Sequence, residues 1–182
     1  RGQEPTAADL RFLYELDDRI EGFGYYRDPR IQPLLEGRDI QSDLAKAFDC
    51  ELSQISSTVE EALSGTAELP IVYHLGSIAE FDAPNMMKSA EELRFPQHIK
   101  GDLVLNNILS VEGLTLPISV GGDLKLGRLV FADGLTLPVR IGQDLNMEAA
   151  TAFRGVTMPE SVGRDIDMQS VRSLEGVTIP RT

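Results

Sequence analysis

The chain has 182 residues, 42% of them apolar, with 29 acidic and 17 basic side chains and a formal net charge of −12. That length can bury a substantial core, and the acidic balance argues against nonspecific affinity for nucleic acid or an anionic membrane. Residues 1–69 hold 15 acids against 7 bases and residues 70–182 hold 14 against 10, so neither part carries a polycationic patch.

Residues 1–69 read as a helical N-terminal cap domain. Thr6 is placed to cap a helix whose apolar positions Leu10, Leu13, Leu16 and Ile20 follow helical spacing, and Gly22 and Gly24 end it. The next stretch, Phe23 to Arg30, gathers three aromatics beside two arginines. Such residues serve either as a packing wedge or as a binding hot spot, which makes Tyr25, Tyr26 and Arg27 candidate partner contacts. Asp28-Pro29 supplies a cap followed by proline at the first helical position. Further helices are expected at about 40–48 and 51–64, the second with Ser57 and Glu60 spaced for a capping box.

Within this part, residues 43–63 echo the spacing of a DNA-binding helix-turn-helix. The second helix would offer Glu51, Ser53, Gln54 and Ser57 to base edges. An acidic surround repels phosphate, and Asp49 stands where the turn usually has glycine. Two helices packed on each other is the preferred reading. Cys50 is the only cysteine, so an internal disulfide is excluded and a reducing cytoplasm is the expected setting. No stretch reads as a signal peptide or a membrane span. The simplest role for residues 1–69 is to shield the first coil of a stack built by the remainder of the chain.

Residues 70–95 look like a degenerate first coil, with Leu75-Gly76-Ser77-Ile78 echoing the stretch from Ile99 to Leu103 at a spacing four residues too long. From residue 96 onward the pattern is strict. Pro96, Pro117, Pro138, Pro159 and Pro180 stand 21 residues apart, and aligned with them run Asp102, Asp123, Asp144 and Asp165 and then Gly113, Gly134, Gly155 and Gly176. Each unit holds two alternating segments, D-L-x-L and L-T-L-P, in which the Leu pair faces one side and Asp or Thr the other. One unit cannot bury its apolar face alone, whereas stacked coils turn each apolar column into a continuous core. The fold class is therefore α+β: a helical N-terminal cap followed by a short β-solenoid, or leucine-rich-like stack, of four coils over 96–182. The glycines mark corners, and each proline begins a coil where no ladder donor is needed.

The Asp column offers one carboxylate per coil, too few for a calcium cage, so each Asp is read as capping a turn through nearby backbone N–H groups. One Thr per coil falls short of the paired array of an ice-binding surface and fits cross-strand Thr stacking. His74 and His98 are too few to form a metal site with Cys50, and no serine has a nucleophile-elbow pattern. No catalytic, metal or cofactor site is expected.

These units resemble short-period bacterial repeats of the type LPxSVGGDLxLxxLxSxEGLT and, loosely, leucine-rich repeats. The likeness covers residues 96–182 and implies a coiled stack, with no activity attached. Where leucine-rich repeats carry an Asn ladder, this chain has Ile108, Leu129, Ala150 and Val171, which favours a β-solenoid.

Specificity in such stacks sits in the variable columns. Val104, Lys125, Asn146 and Asp167 alternate with the constant Leu pairs, followed by Asn106, Gly127, Glu148 and Gln169 and then Asn107, Arg128, Ala149 and Ser170. Lys125, Arg128, Asn146, Glu148 and Asp167 are the candidate partner contacts there. The expected function is a non-enzymatic protein-interaction or scaffold module with a protein partner and no membrane or nucleic-acid ligand. The alternative is self-assembly through the C-terminal coil, since the chain stops just past its fifth proline and reads as a piece of a longer stack.

Overall fold

The computed structural model describes residues 4–17, 20, 28–79, 94–106, 108–109 and 111–180. Tyr25, Tyr26 and Arg27 lie outside the described residues, as does Asn107. By internal contacts the chain divides into two compact units, Arg1–Ile55 and Ser56–Thr182.

The first unit holds α1 (Ala7–Leu13), α2 (Ile31–Leu35) and α3 (Ile40–Phe48) around buried Leu10, Ile31, Leu44 and Ala47. Thr6 closes a full capping box with Asp9, as a short helix with four unpaired N-terminal donors requires. The helix ends at Leu13 rather than continuing to Ile20, with Glu15 in the left-handed region at φ 53°. The early end places the Tyr14 hydroxyl 2.8 Å from Asp43 Oδ2, on which the Arg38 guanidinium also closes at 2.5 Å. Asp43 is buried, so these donors are what make its charge tolerable. Arg11 lies over the Phe48 ring at 5.0 Å from its centroid. Asp28-Pro29 does not begin α2 as expected. The Asp28 carboxylate instead takes the Arg30 backbone N–H at 2.9 Å, and the helix starts just beyond it at Ile31.

Residues 51–64 do not form the expected helix. They give a 3₁₀ turn at Leu52–Gln54, the extended pair β1 (Ile55–Ser56) and the short α4 (Val59–Ala62). The turn closes on itself, because the Gln54 side chain returns to the Glu51 N–H at 3.1 Å and Ile55-Ser56 then runs extended and buried. The capping box falls one residue later than expected, on Thr58 and Glu61. The helix-turn-helix expectation over 43–63 is thereby corrected: a 3₁₀ turn and an extended pair follow α3, and the only helix beyond them in that span is the four-residue α4, too short to read a groove.

The second unit is a β-solenoid of about five coils. One parallel sheet runs β1, β2 (Tyr73–His74), β3 (His98–Ile99), β5 (Ser119–Val120), β7 (Arg140–Ile141), β9 (Ser161–Val162). A second runs β4 (Leu103–Val104), β6 (Leu124–Lys125), β8 (Leu145–Asn146), β10 (Ile166–Asp167). Register advances by one 21-residue unit at every regular step, His98 to Ser119 to Arg140 to Ser161. The first coil joins at a step of 25, Tyr73 against His98, as its longer spacing demands. The core stacks Ile78, Leu103, Leu124 and Leu145, then Leu105, Leu126 and Met147, all essentially inaccessible. Leu129 and Ala150 are buried as well, so the column that differs from leucine-rich repeats is core.

Two glycine columns explain why the coils can stack this closely. Gly113, Gly134, Gly155 and Gly176 turn corners at φ between 64° and 75°. At Gly142, a Cβ would collide with the Gly121 carbonyl of the coil before it.

Candidate functional site

The Asp column is the strongest polar feature of the solenoid. Its carboxylates do not cap their own turns, as expected, but bridge successive coils. Asp102 Oδ1 accepts the Asp123 N–H at 2.8 Å, Asp123 Oδ1 accepts Asp144 N–H at 3.1 Å, and Asp144 Oδ1 accepts Asp165 N–H at 3.1 Å. In the irregular first coil Ser77 Oγ does the same work for Asp102 N–H at 2.9 Å. A charged acceptor on a backbone donor is stronger than a neutral pair, so each bond fixes register as well as closing the stack. Burial would raise the Asp123 carboxyl, but the Asp144 N–H and the Lys125 ammonium outweigh it and hold it low.

Lys125 lies 3.1 Å from Asp123 Oδ2, and that hydrogen bond raises its ammonium above the ordinary range, with Asp102 and Asp144 adding to the field. Its role is therefore partly internal: it offsets repulsion along a ladder of like charges.

Sheet register brings Val104, Lys125, Asn146 and Asp167 into one column, each side by side with its neighbour on the next coil. Glu148 and Arg128 sit exposed in the turns after β8 and β6. Their surroundings are built from side-chain oxygens. A Cβ on Gly127 would stand 3.2 Å from Asn106 Oδ1, 3.3 Å from Asn146 Oδ1 and 3.5 Å from Glu148 Oε1. Five of the eight expected partner residues thus share one side of the coil; the other three are the undescribed Tyr25, Tyr26 and Arg27.

The histidines part company. His98 is half-buried, with Nδ1 2.8 Å from Ser119 Oγ and its ring stacked on Tyr73. His74 is fully buried; Nδ1 lies 3.0 Å from Ser56 Oγ, and burial lowers its pKa below the ordinary 6.5. Cys50 is half-buried; burial first, then Glu51 and Asp49, push its thiol upward and keep it protonated. Among the described residues no group of three or more His, Cys, Asp or Glu is placed to hold a metal ion. None of their helices is long and apolar enough to cross a membrane.

One feature has no counterpart among the expected sites. On the third side of the coils a cleft of about 700 Å³ opens between residues 111–118 and 131–139. Its signal lies in the columns. At the position after each proline the sequence has Gln97, Ile118, Val139 and Glu160, and at another it has Ser110, Phe131, Ala152 and Ser173.

No protein-family model, curated protein or solved structure matches the chain.

Proposed function

We propose that the chain is a non-enzymatic protein-interaction or scaffold module of a reducing compartment. The partner is read by the outward side of the β4-β6-β8-β10 sheet and its corner. The observation that carries this reading is the in-register column Val104, Lys125, Asn146, Asp167. Its chemistry changes at every coil, while the neighbouring Leu103, Leu124 and Leu145 stay buried and constant. A stack that repeats its core and varies its surface has the form of an extended recognition face. Lys125 is tied to the Asp ladder, so the test uses the turn residues instead. A double Arg128→Glu, Glu148→Lys variant should fold as the parent does and lose a cross-linked partner that the parent retains. Retention of that partner at equal yield would remove this face from the reading.

Self-assembly is the second reading, and one observation favours it. In the coil 159–179 the core columns emerge: Ile166 is 46% and Leu174 60% exposed, whereas their equivalents Leu145 and Phe153 are at most 1%. Sedimentation across a concentration series tests it. Association that an Ile166→Glu, Leu174→Glu variant abolishes supports it, and a monomer throughout rejects it.

A further inference from the structure

The third side of the solenoid is bridged between Arg94 and Thr115 and at two of the three Thr–Thr steps beyond it, and is open at the one between Thr115 and Thr136. Thr136 bridges Thr157, and Thr157 bridges Thr178. Those steps carry regular parallel bonds: Thr157 N–H to Leu135 C=O at 2.9 Å, Leu137 N–H to Thr157 C=O at 3.0 Å, and Met158 N–H to Thr178 C=O at 2.9 Å. The same register would join Thr136 N–H to Leu114 C=O and Leu116 N–H to Thr136 C=O. Neither bond is made, and no backbone bond joins 113–116 to 134–137 among the described residues. The interruption is bounded. At one end Leu109 C=O accepts Val130 N–H at 3.2 Å and Phe131 N–H at 3.3 Å; at the other Ile118 C=O accepts Val139 N–H at 2.8 Å.

The result is a slit with main-chain donors and acceptors on both walls, and it coincides with the cleft of about 700 Å³. Ligand clefts of this size, roughly 300–1,000 Å³, are ordinary. A strand edge with unsatisfied main-chain groups is a template for another strand.

The side chains at the rim point to the same kind of occupant. Ile118, Phe131 and Val139 are exposed at 48%, 60% and 40%; in the repeat, the position of Ile118 and Val139 is taken by Gln97 and Glu160 in the outer coils, and that of Phe131 by Ala152 and Ser173 further along. Large exposed apolar side chains in these columns are thus confined, among the described residues, to the two walls of the slit. Both walls also carry an acid at the corner, Glu112 and Asp133; Asp133 Oδ1 accepts the N–H of Arg154, the residue at this position on the next coil, at 2.7 Å.

We propose that this slit is a docking site for an extended peptide segment with alternate apolar side chains and a basic residue at the end beside Glu112 and Asp133. Main-chain pairing to Leu114, Leu116 and Thr136 gives affinity, the apolar rim selects alternate side chains, and the two carboxylates set direction. The slit lies on a different side of the coil from Lys125 and Arg128, so the two surfaces are tested separately.

The probe is a synthetic, fluorescein-labelled peptide of alternating Val and Thr with two Lys at one end, titrated against the full chain and read by anisotropy. Three comparisons accompany it: the same peptide N-methylated at alternate amides, the same peptide with Glu for Lys, and an Ile118→Gln, Phe131→Ser variant of the protein. Those substitutions restore the polar character of the outer coils at exposed positions, so folding should be retained, and far-ultraviolet circular dichroism checks it. Saturable binding is expected for the parent pair, with at least a tenfold loss in each comparison. The Arg128→Glu, Glu148→Lys variant should bind the probe like the parent. No saturable binding up to about 1 mM, or an N-methylated peptide that binds as well as its parent, overturns the proposal.

Discussion

Two seams run across the same coils, and they are held differently. On the Asp seam every regular step, and the irregular first one, has a side-chain oxygen bonded to the backbone N–H of the next coil. On the Thr seam the steps rest mainly on backbone pairing, with a side-chain bond at a single corner, Asp133 Oδ1 accepting the Arg154 N–H at 2.7 Å, and one step is open. A side-chain acceptor repeated at each turn specifies register locally. A seam without it depends on how the side chains above and below let the backbones approach. Identical spacing therefore does not produce identical joints, and the unequal joint is where a stack can accept something from outside.

This contrast can be broken from the core outward. Leu124→Ala removes a fully buried side chain between the two seams. It should cost about 2–5 kcal/mol in urea unfolding, because packed coils on both sides limit collapse of the cavity. Gly142→Ala drives a Cβ into the Gly121 carbonyl. About 1–3 kcal/mol of destabilisation is expected, from a contact that only a backbone shift can relieve. Asp123→Ala orphans the Asp144 N–H and leaves Lys125 without its closest carboxylate. The expected loss is about 1–3 kcal/mol, and Asp123→Asn, which keeps an acceptor oxygen, should recover part of it.

Acid sharpens the comparison between the first coil and the Asp seam. Burial depresses His74 below 6.5, so the unfolded chain takes up the proton more readily than the folded one. Its contribution to stability is complete above that value and is lost as pH falls from 6.5 through the lower folded value. The depressed carboxyl of Asp123 acts further down, its contribution being lost only below 3.8. His74→Gln should remove the upper phase and leave the lower one, as measured by thermal melts between the two windows. The smallest effect belongs to the open joint. Thr136→Val should change stability by no more than about 0.5 kcal/mol, since its position is exposed and its N–H bonds to no other coil.

Much of the solenoid was legible because a strict period needs only one unit to be understood. The Pro, Asp and Gly columns announced coils, corners and the four-residue excess before Pro96, and the Leu columns announced the core. The Asp partners were half-legible: a backbone N–H was expected, but sequence offsets do not say that it belongs to the next coil. Residues 51–64 were misread because Ser57, Glu60 and the apolar spacing satisfy helical rules. The local closure of Glu51 on Gln54, and the burial of Ile55-Ser56, override them. The slit was visible only as Ile118, Phe131 and Val139 departing from polar columns.

Amide hydrogen exchange, resolved by residue in the protein alone, tests the difference between the seams most directly. The amides of Asp123, Asp144 and Asp165, together with those of Leu137 and Thr157, should be protected. Those of Leu116 and Thr136 should exchange nearly as fast as in an open chain. Protection of Thr136 equal to that of Thr157 would mean that the joint is closed, and the account of an interrupted seam would be wrong.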